Sequence, residues 1–69
     1  MAKNNSPKVQ AARRFAEEFD VEQVIVLAVS YRHGTVEYAS YGETAVLCRH
    51  ARRLADKAYD AVMEELARG

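Results

Sequence analysis

Two stretches rich in β-branched and aromatic residues decide the fold: Val21-Glu-Gln-Val-Ile-Val-Leu-Ala-Val-Ser-Tyr31 and Thr35-Val-Glu-Tyr-Ala-Ser-Tyr41. Residues of these types are typical of β-strands. Between the two stretches lies Arg32-His33-Gly34, in which the glycine can supply the positive φ that a tight turn requires. The pattern therefore predicts an antiparallel β-hairpin.

The turn also predicts which residues face each other. If His33 and Gly34 form a two-residue turn, Val29 pairs with Tyr38. One face of the hairpin would then carry Ile25, Leu27, Val29, Tyr31, Val36 and Tyr38, and the other Val24, Val26, Ala28, Ala39 and Tyr41. A hairpin covered on one side alternates apolar with polar residues, whereas both faces here are apolar. We therefore expect both faces to be covered.

The small size of the chain suggests how they are covered. A domain of 69 residues buries only about 60% of the surface that its unfolded chain exposes, and an isolated hairpin is marginal in water. Small domains usually add disulfides, metals or a second copy of themselves, and this chain has one cysteine and two histidines. We expect a homodimer, formed by strand pairing or by helix packing. The predicted interface comprises Val24, Val26, Leu27, Ala28, Leu54, Ala58 and Val62.

Helical patterns flank the hairpin. Ser6-Pro7 is typical of a helix start, and apolar residues at helical spacing follow as far as Phe19, predicting a helix that ends near Asp20. A longer pattern starts after Gly42 and runs to about Ala67, with Ser40-x-x-Glu43 as a possible capping box and Thr44 as the alternative cap. The expected fold is α+β, in the order helix, strand, strand, helix (αββα). We expect residues 1–69 to form one domain, with residues 1–5 as a disordered leader.

Composition restricts the setting and the partners. A lone cysteine is typical of a reducing cytoplasm, and the apolar run Val24–Val29 is far shorter than the ~20 residues of a membrane helix. Lysine and arginine total 10, as do aspartate and glutamate, so overall charge favours neither nucleic acid nor an anionic membrane. We expect a cytoplasmic protein that does not bind membranes, with nucleic acid an unfavoured partner.

No pattern of residues indicates catalysis. Cys48 and His50 would project about 200° apart on a helix, so they cannot share a metal or act as nucleophile and base. Cys48 lies in the apolar stripe of the long helix, which favours a core position, and His33 suits a turn. We expect a binding protein rather than an enzyme, without cofactor or metal.

The charge order along the long helix is unusual. Basic residues Arg49, His50, Arg52 and Arg53 come first, and acidic residues Asp56, Asp60, Glu64 and Glu65 follow. Helices favour the opposite order by ~0.3–1 kcal/mol per charge. One interpretation is a solvated face with pairs such as Arg52–Asp56 and Glu64–Arg68. The other is a surface for an oppositely charged protein, with tyrosines as further contacts. The predicted partner-binding residues are Arg49, Arg52, Arg53, Asp56, Asp60, Glu64, Tyr38 and Tyr41.

The stretch EYASYGETAVLCRHARRLADKAYDAVMEEL (Glu37–Leu66), and more loosely the whole chain, resembles the small proteins that Mu-like temperate phages express early to reprogram a bacterial host. Within that group it is most similar to the anti-quorum-sensing proteins. The resemblance implies a dimer in the host cytoplasm that binds the DNA-binding domain of a LuxR-type transcriptional activator. It also implies binding of a pilus-assembly ATPase, which excludes superinfecting phages. It assigns no functional residue, because it rests on no diagnostic motif.

Two other functions fit the same residues. A small dimeric DNA-binding regulator would present the arginine-rich start of the long helix to phosphates, with an affinity that falls steeply with salt. An inhibitor of a bacterial immune complex would have a similar size and composition.

Overall fold

A computed structural model of the chain describes residues 6–69. Its elements are helix α1 (Pro7–Phe19), strand β1 (Gln23–Ser30), strand β2 (Thr35–Gly42) and helix α2 (Ala45–Arg68). The predicted α+β order of helix, two antiparallel strands and long helix is confirmed. The leader predicted for residues 1–5 lies outside the described residues, and the homodimer stays a prediction.

Local signals in the sequence fix both ends of α1. The Ser6 Oγ accepts a hydrogen bond of 3.3 Å from the Val9 N–H, and Pro7 occupies the first turn, where it sacrifices no hydrogen bond. At the other end Asp20 adopts the left-handed conformation (φ 57°), and its N–H bonds to the Ala16 carbonyl. Aspartate is one of the few residues other than glycine that visit this conformation readily.

The hairpin turn is longer than predicted. Ser30 pairs with Thr35, Val29 with Val36 and Leu27 with Tyr38, so four residues (31–34) form the loop and the predicted pairing is wrong by two residues. The physical cause is local: the Ser30 Oγ accepts the His33 N–H at 3.2 Å, and Gly34 takes the positive φ (65°) at the end of the turn. A shift of two residues keeps each side chain on its predicted face, because side chains alternate with period two.

The hairpin lies between the two helices. Ala12 and Ala16 of α1 pack against Val24, with Val26 and Tyr41 at the margin of the same cluster. The other face meets α2, where the Tyr38 and Tyr59 rings lie 5.1 Å apart and the Gln23 side chain donates to the Leu47 carbonyl. No Cα atom of α1 lies within 8 Å of one in α2. One chain therefore supplies a helix to each face, and the apolar faces alone do not require a second copy.

The core is shallow and consists of small residues. Within residues 6–69 the buried apolar side chains are Ala12, Ala16, Val24, Ala39, Ala51 and Ala55. Alanines allow the helix backbones to approach the sheet closely, but they remove little apolar surface from water. Several large apolar side chains stay exposed, including Phe15 (51%) and Phe19 (58%).

The connection from β2 to α2 is tight. Thr44 caps α2, since its Oγ1 accepts the Leu47 N–H at 3.2 Å. Thr44 was the alternative cap, and the capping box Ser40-x-x-Glu43 is wrong, because Ser40 lies inside β2. Gly42 passes so close to the first turn of α2 that a Cβ atom there would collide with the backbone of Leu47 and Cys48. This contact fixes where α2 starts relative to the sheet.

A candidate protein-binding groove along β2

An open groove of about 620 Å³ follows β2. No residue of β1 lines it, so it lies along the edge of β2 that faces away from β1 in this two-stranded sheet. Its walls come from both helices: Val9, Gln10 and Arg13 of α1, residues 38–42 of β2, and Cys48, Arg52 and Asp56 of α2. The groove thus combines an unpaired strand edge with charged and aromatic side chains.

Tyr38 is held in place at the α2 side of the groove. Its hydroxyl donates a hydrogen bond of 3.1 Å to the Asp56 Oδ1, and its ring packs against Tyr59. The hydrogen bond and then the negative charge of Asp56 raise the pKa of Tyr38, because both favour the protonated phenol. Tyr38 is 37% exposed, so a fixed aromatic ring remains available to a partner.

The two arginines of the groove differ in their partners. The Arg13 Nε lies 3.1 Å from the Glu17 Oε2, one turn along α1. Arg52 forms no ion pair with any acid in residues 6–69, and Asp56, its predicted partner, accepts the Tyr38 hydroxyl. The other predicted pair, Glu64 with Arg68, forms at 3.6 Å. Arg52 is therefore a guanidinium group in the groove that no acidic side chain of the described chain neutralises.

The predicted partner-binding residues fall into two sets. Four of them line the groove: Tyr38, Tyr41, Arg52 and Asp56. The other four are exposed on α2 but do not line the groove: Arg49, Arg53, Asp60 and Glu64. With about 100° of rotation per residue, Asp60 projects opposite the buried face of the helix that contains Ala51. The acidic row therefore starts at the groove with Asp56 and winds onto the outer side of α2.

Sequence reasoning missed the α1 wall of the groove. In the helical pattern of residues 7–19, Val9 belongs to the apolar face and Arg13 to the polar face, so the sequence gives no reason to place them together. Only the position of α1 over the sheet brings both beside β2. No local pattern in the sequence carries this information.

The residues predicted for a dimer interface differ in accessibility. Val24 is buried under α1. A second set is half-buried: Val26, Leu27, Ala58 and Val62. Ala28 and Leu54 are exposed, and Leu54 retains 39% of its accessible surface. Only the last two are freely available to a second copy.

Within residues 6–69 there is no group of three or more histidine, cysteine, aspartate or glutamate side chains that could hold a metal ion. Cys48 and His50 are not paired, and His50 instead lies 3.2 Å from the Gln23 amide. In the same part of the chain, neither helix combines the length and hydropathy needed to span a membrane.

Comparisons of the chain with protein-family models, curated proteins and solved structures gave no match. The resemblance to early proteins of Mu-like phages therefore stays a prediction from the sequence alone.

Proposed function

We propose that this chain is a protein-binding inhibitor that takes a segment of its partner into the β2 groove and acts by occlusion. One observation carries the proposal: Tyr38, Tyr41, Arg52 and Asp56 line a single groove beside an unpaired strand edge. Exposed strand edges are common docking sites for extended peptides. Tyrosine and arginine are also the residues that most often dominate binding energy at protein interfaces.

The hydrogen bonding of the hairpin supports strand addition at this edge. The Glu43 N–H bonds to the Glu22 carbonyl at 3.0 Å, which continues the pairing of the two strands. In an antiparallel ladder, alternate residues bond to the neighbouring strand and those between direct their N–H and C=O groups away. Because Glu43 bonds to β1, every second residue before it does so too, and the residues between them face away. The backbone groups of Tyr38 and Ser40 therefore point into the groove, where an extended partner segment can bond to them.

The charges of the groove define the partner more closely. Arg52 favours a carboxylate on the bound segment, since guanidinium and carboxylate form paired hydrogen bonds. The row formed by Asp56, Asp60 and Glu64 favours a basic surface beyond it. The resemblance names a LuxR-type DNA-binding domain as the first partner to test, and a basic DNA-binding surface suits the acidic row. A pilus-assembly ATPase is the second partner that it names.

The test is titration of the chain with a purified DNA-binding domain of a LuxR-type activator, measured by calorimetry. Arg52→Glu should weaken binding about tenfold or more, because it removes the uncompensated charge of the groove. Lys57→Glu is the matched control: it changes net charge equally, from an exposed position on the other flank of α2, and should leave affinity nearly unchanged. Equal effects of the two substitutions would contradict the proposal that the partner binds in the groove. Absence of any binding would exclude this partner, and the ATPase would be titrated in the same way.

One observation favours a second candidate, a DNA-binding regulator. Arg49 and Arg53 are exposed one turn apart on α2, and neither forms an ion pair within residues 6–69. The test is a mobility shift of a short DNA duplex at low salt. If the double variant Arg49→Glu, Arg53→Glu loses the shift and Arg52→Glu keeps it, this function would be favoured over protein binding.

A further inference from the structure

The free edge of β1 lacks the features that normally protect a strand edge. Its sequence, Gln23-Val-Ile-Val-Leu-Ala-Val-Ser30, contains no charged residue and no proline. Natural sheets usually shield such edges with charges, prolines, bulges or a covering element, because unpaired N–H and C=O groups recruit other strands. β2, by contrast, carries Glu37, which pairs with Lys8 at 3.2 Å.

The alternation of hydrogen bonds between β1 and β2 shows which backbone groups point outward from the free edge of β1. Since Glu22 and Glu43 form a hydrogen-bonded pair, the groups of Val24, Val26 and Ala28 point towards β2. Those of Ile25, Leu27 and Val29 point outward. Three successive outward residues give the central part of β1 a complete set of donors and acceptors for another antiparallel strand.

Apolar side chains flank the same edge on α1. Relative to the buried Ala12, Arg13 is rotated by about 100° in one direction, towards the β2 groove, and Phe15 by about 60° in the other. Phe15 therefore lies on the β1 side of its helix. Its ring is 4.5 Å from that of Phe19, and both side chains are more than half exposed.

Helix α2 repeats this arrangement on the opposite face. Relative to the buried Ala51, Arg52 turns towards the groove and Leu54 turns away from it by the same angles. Leu47 and His50, on the flank that carries Leu54, line a shallow cavity beside residues 21–23, which fixes this flank on the β1 side. The β1 edge thus has exposed apolar side chains both above and below it.

We propose that β1 pairs antiparallel with β1 of a second copy of this chain, about a twofold axis near Leu27, to give one four-stranded sheet. A twofold axis normal to the sheet places both α1 helices on one face and both α2 helices on the other, so that Phe15 faces α1 and Leu54 faces α2 of the other copy. A twofold contact uses the same patch twice, and an uncharged strand meets its copy without like-charge repulsion. The occupant is a second copy because four strands also relieve the marginal stability of an isolated hairpin.

This pairing goes beyond the proposed function, because the β2 grooves lie at the two outer edges of the joined sheet and do not take part in it. The dimer would present two grooves in opposite directions, so two partner segments could bind at once. Loss of the dimer and loss of partner binding are separately measurable.

The experiment is sedimentation equilibrium of the full chain, with Leu54→Lys and Val46→Lys compared under identical conditions. Both substitutions replace an exposed apolar side chain of α2 by lysine, but Val46 (65% exposed) is rotated by about 140° from the buried Ala51 and points away from the sheet, whereas Leu54 is rotated by only about 60°. The wild type should sediment at twice 7.8 kDa. Leu54→Lys should weaken self-association about tenfold or more, and Val46→Lys should leave it unchanged.

A second pair of variants tests the strand edge itself. Val29→Pro removes one outward N–H without removing a bond to β2, whereas Val29→Thr keeps that donor. Only the proline variant should shift towards the monomer; if circular dichroism shows that it unfolds, the Leu54 and Val46 pair decides. A monomeric wild type, open-ended association beyond a dimer, or equal effects of Leu54→Lys and Val46→Lys would overturn the proposal.

Discussion

The Tyr38 hydroxyl donates a hydrogen bond of 3.1 Å to the Asp56 Oδ1, and this bond joins β2 to α2 at the wall of the groove. The same tyrosine packs against Tyr59 of α2. Asp56 accepts this hydroxyl and does not pair with Arg52, so the bond holds an aromatic ring beside a guanidinium group that has no acidic partner within residues 6–69. The geometry of the groove therefore depends on this pair.

Asp56→Ala should lower the pKa of Tyr38 towards the ordinary value of about 10, because it removes both the hydrogen bond and the charge that raise it. The measurement is a spectrophotometric titration of phenolate, with Tyr38→Phe identifying the signal of Tyr38 among the four tyrosines. Glu64→Ala is the control, since Glu64 does not contribute to the shift. Identical titration curves for Asp56→Ala and the wild type would contradict this assignment.

The sign of the associated pH dependence follows from the same shift. The folded protein holds the Tyr38 proton more tightly than the unfolded chain, so the stabilisation is fully present below the unfolded pKa of about 10. It is lost as pH rises through the raised pKa of the folded state. Asp56→Ala should therefore reduce the loss of thermal stability at alkaline pH relative to neutral pH.

Local signals made the element order and the two faces of the hairpin predictable. Strand residues alternate, so Val24 and Leu27 were assigned to opposite faces even though the pairing was wrong by two residues. The error arose at the turn, where Gly34 permits loops of more than one length. The hydrogen bond from the His33 N–H to Ser30 selects the four-residue loop. A serine at position 30 does not by itself predict this bond.

Gly42→Ala should destabilise the protein by about 3 kcal/mol or more, because its Cβ would collide with backbone atoms of Leu47 and Cys48, which cannot rotate away. Gly34→Ala is the comparison. A Cβ there meets no atom within 4 Å, so only its positive φ of 65° opposes alanine, at a cost of about 1 kcal/mol. Urea unfolding of both variants measures the difference, and equal losses of stability would contradict the close approach of β2 to α2.

Ala12→Leu should cost about 1–3 kcal/mol, since Ala12 is fully buried between α1 and the sheet and the extra carbon atoms have no space. Its neighbour Ala11 is exposed on the same helix, so Ala11→Leu should change stability by only about 0.5 kcal/mol or less. Thermal unfolding of the two variants tests whether α1 is docked on the hairpin. Similar melting temperatures would indicate that it is not.

The candidate site was less predictable than the fold. Charge order on α2 identified Arg52 and Asp56 but paired them with each other, because spacing along a helix says nothing about the competing hydroxyl of Tyr38 on β2. Arg13 could not be assigned to the groove at all, since its place depends on how α1 crosses the sheet. Both are tertiary effects, and the sequence pattern records only local ones.

Thr44→Ala should destabilise the protein by about 1 kcal/mol, because it removes the acceptor for the Leu47 N–H at the first turn of α2. Thr44→Ser keeps that acceptor and should retain most of the stability. Ser40→Ala tests the rival capping box: Ser40 lies within β2, so its hydroxyl is not needed to start α2 and its loss should have little effect on helix content. Denaturant unfolding followed by circular dichroism compares the three variants. A larger loss from Ser40→Ala than from Thr44→Ala would mean that α2 starts from a capping box, and the groove residues Arg52 and Asp56 would then be positioned by a different first turn.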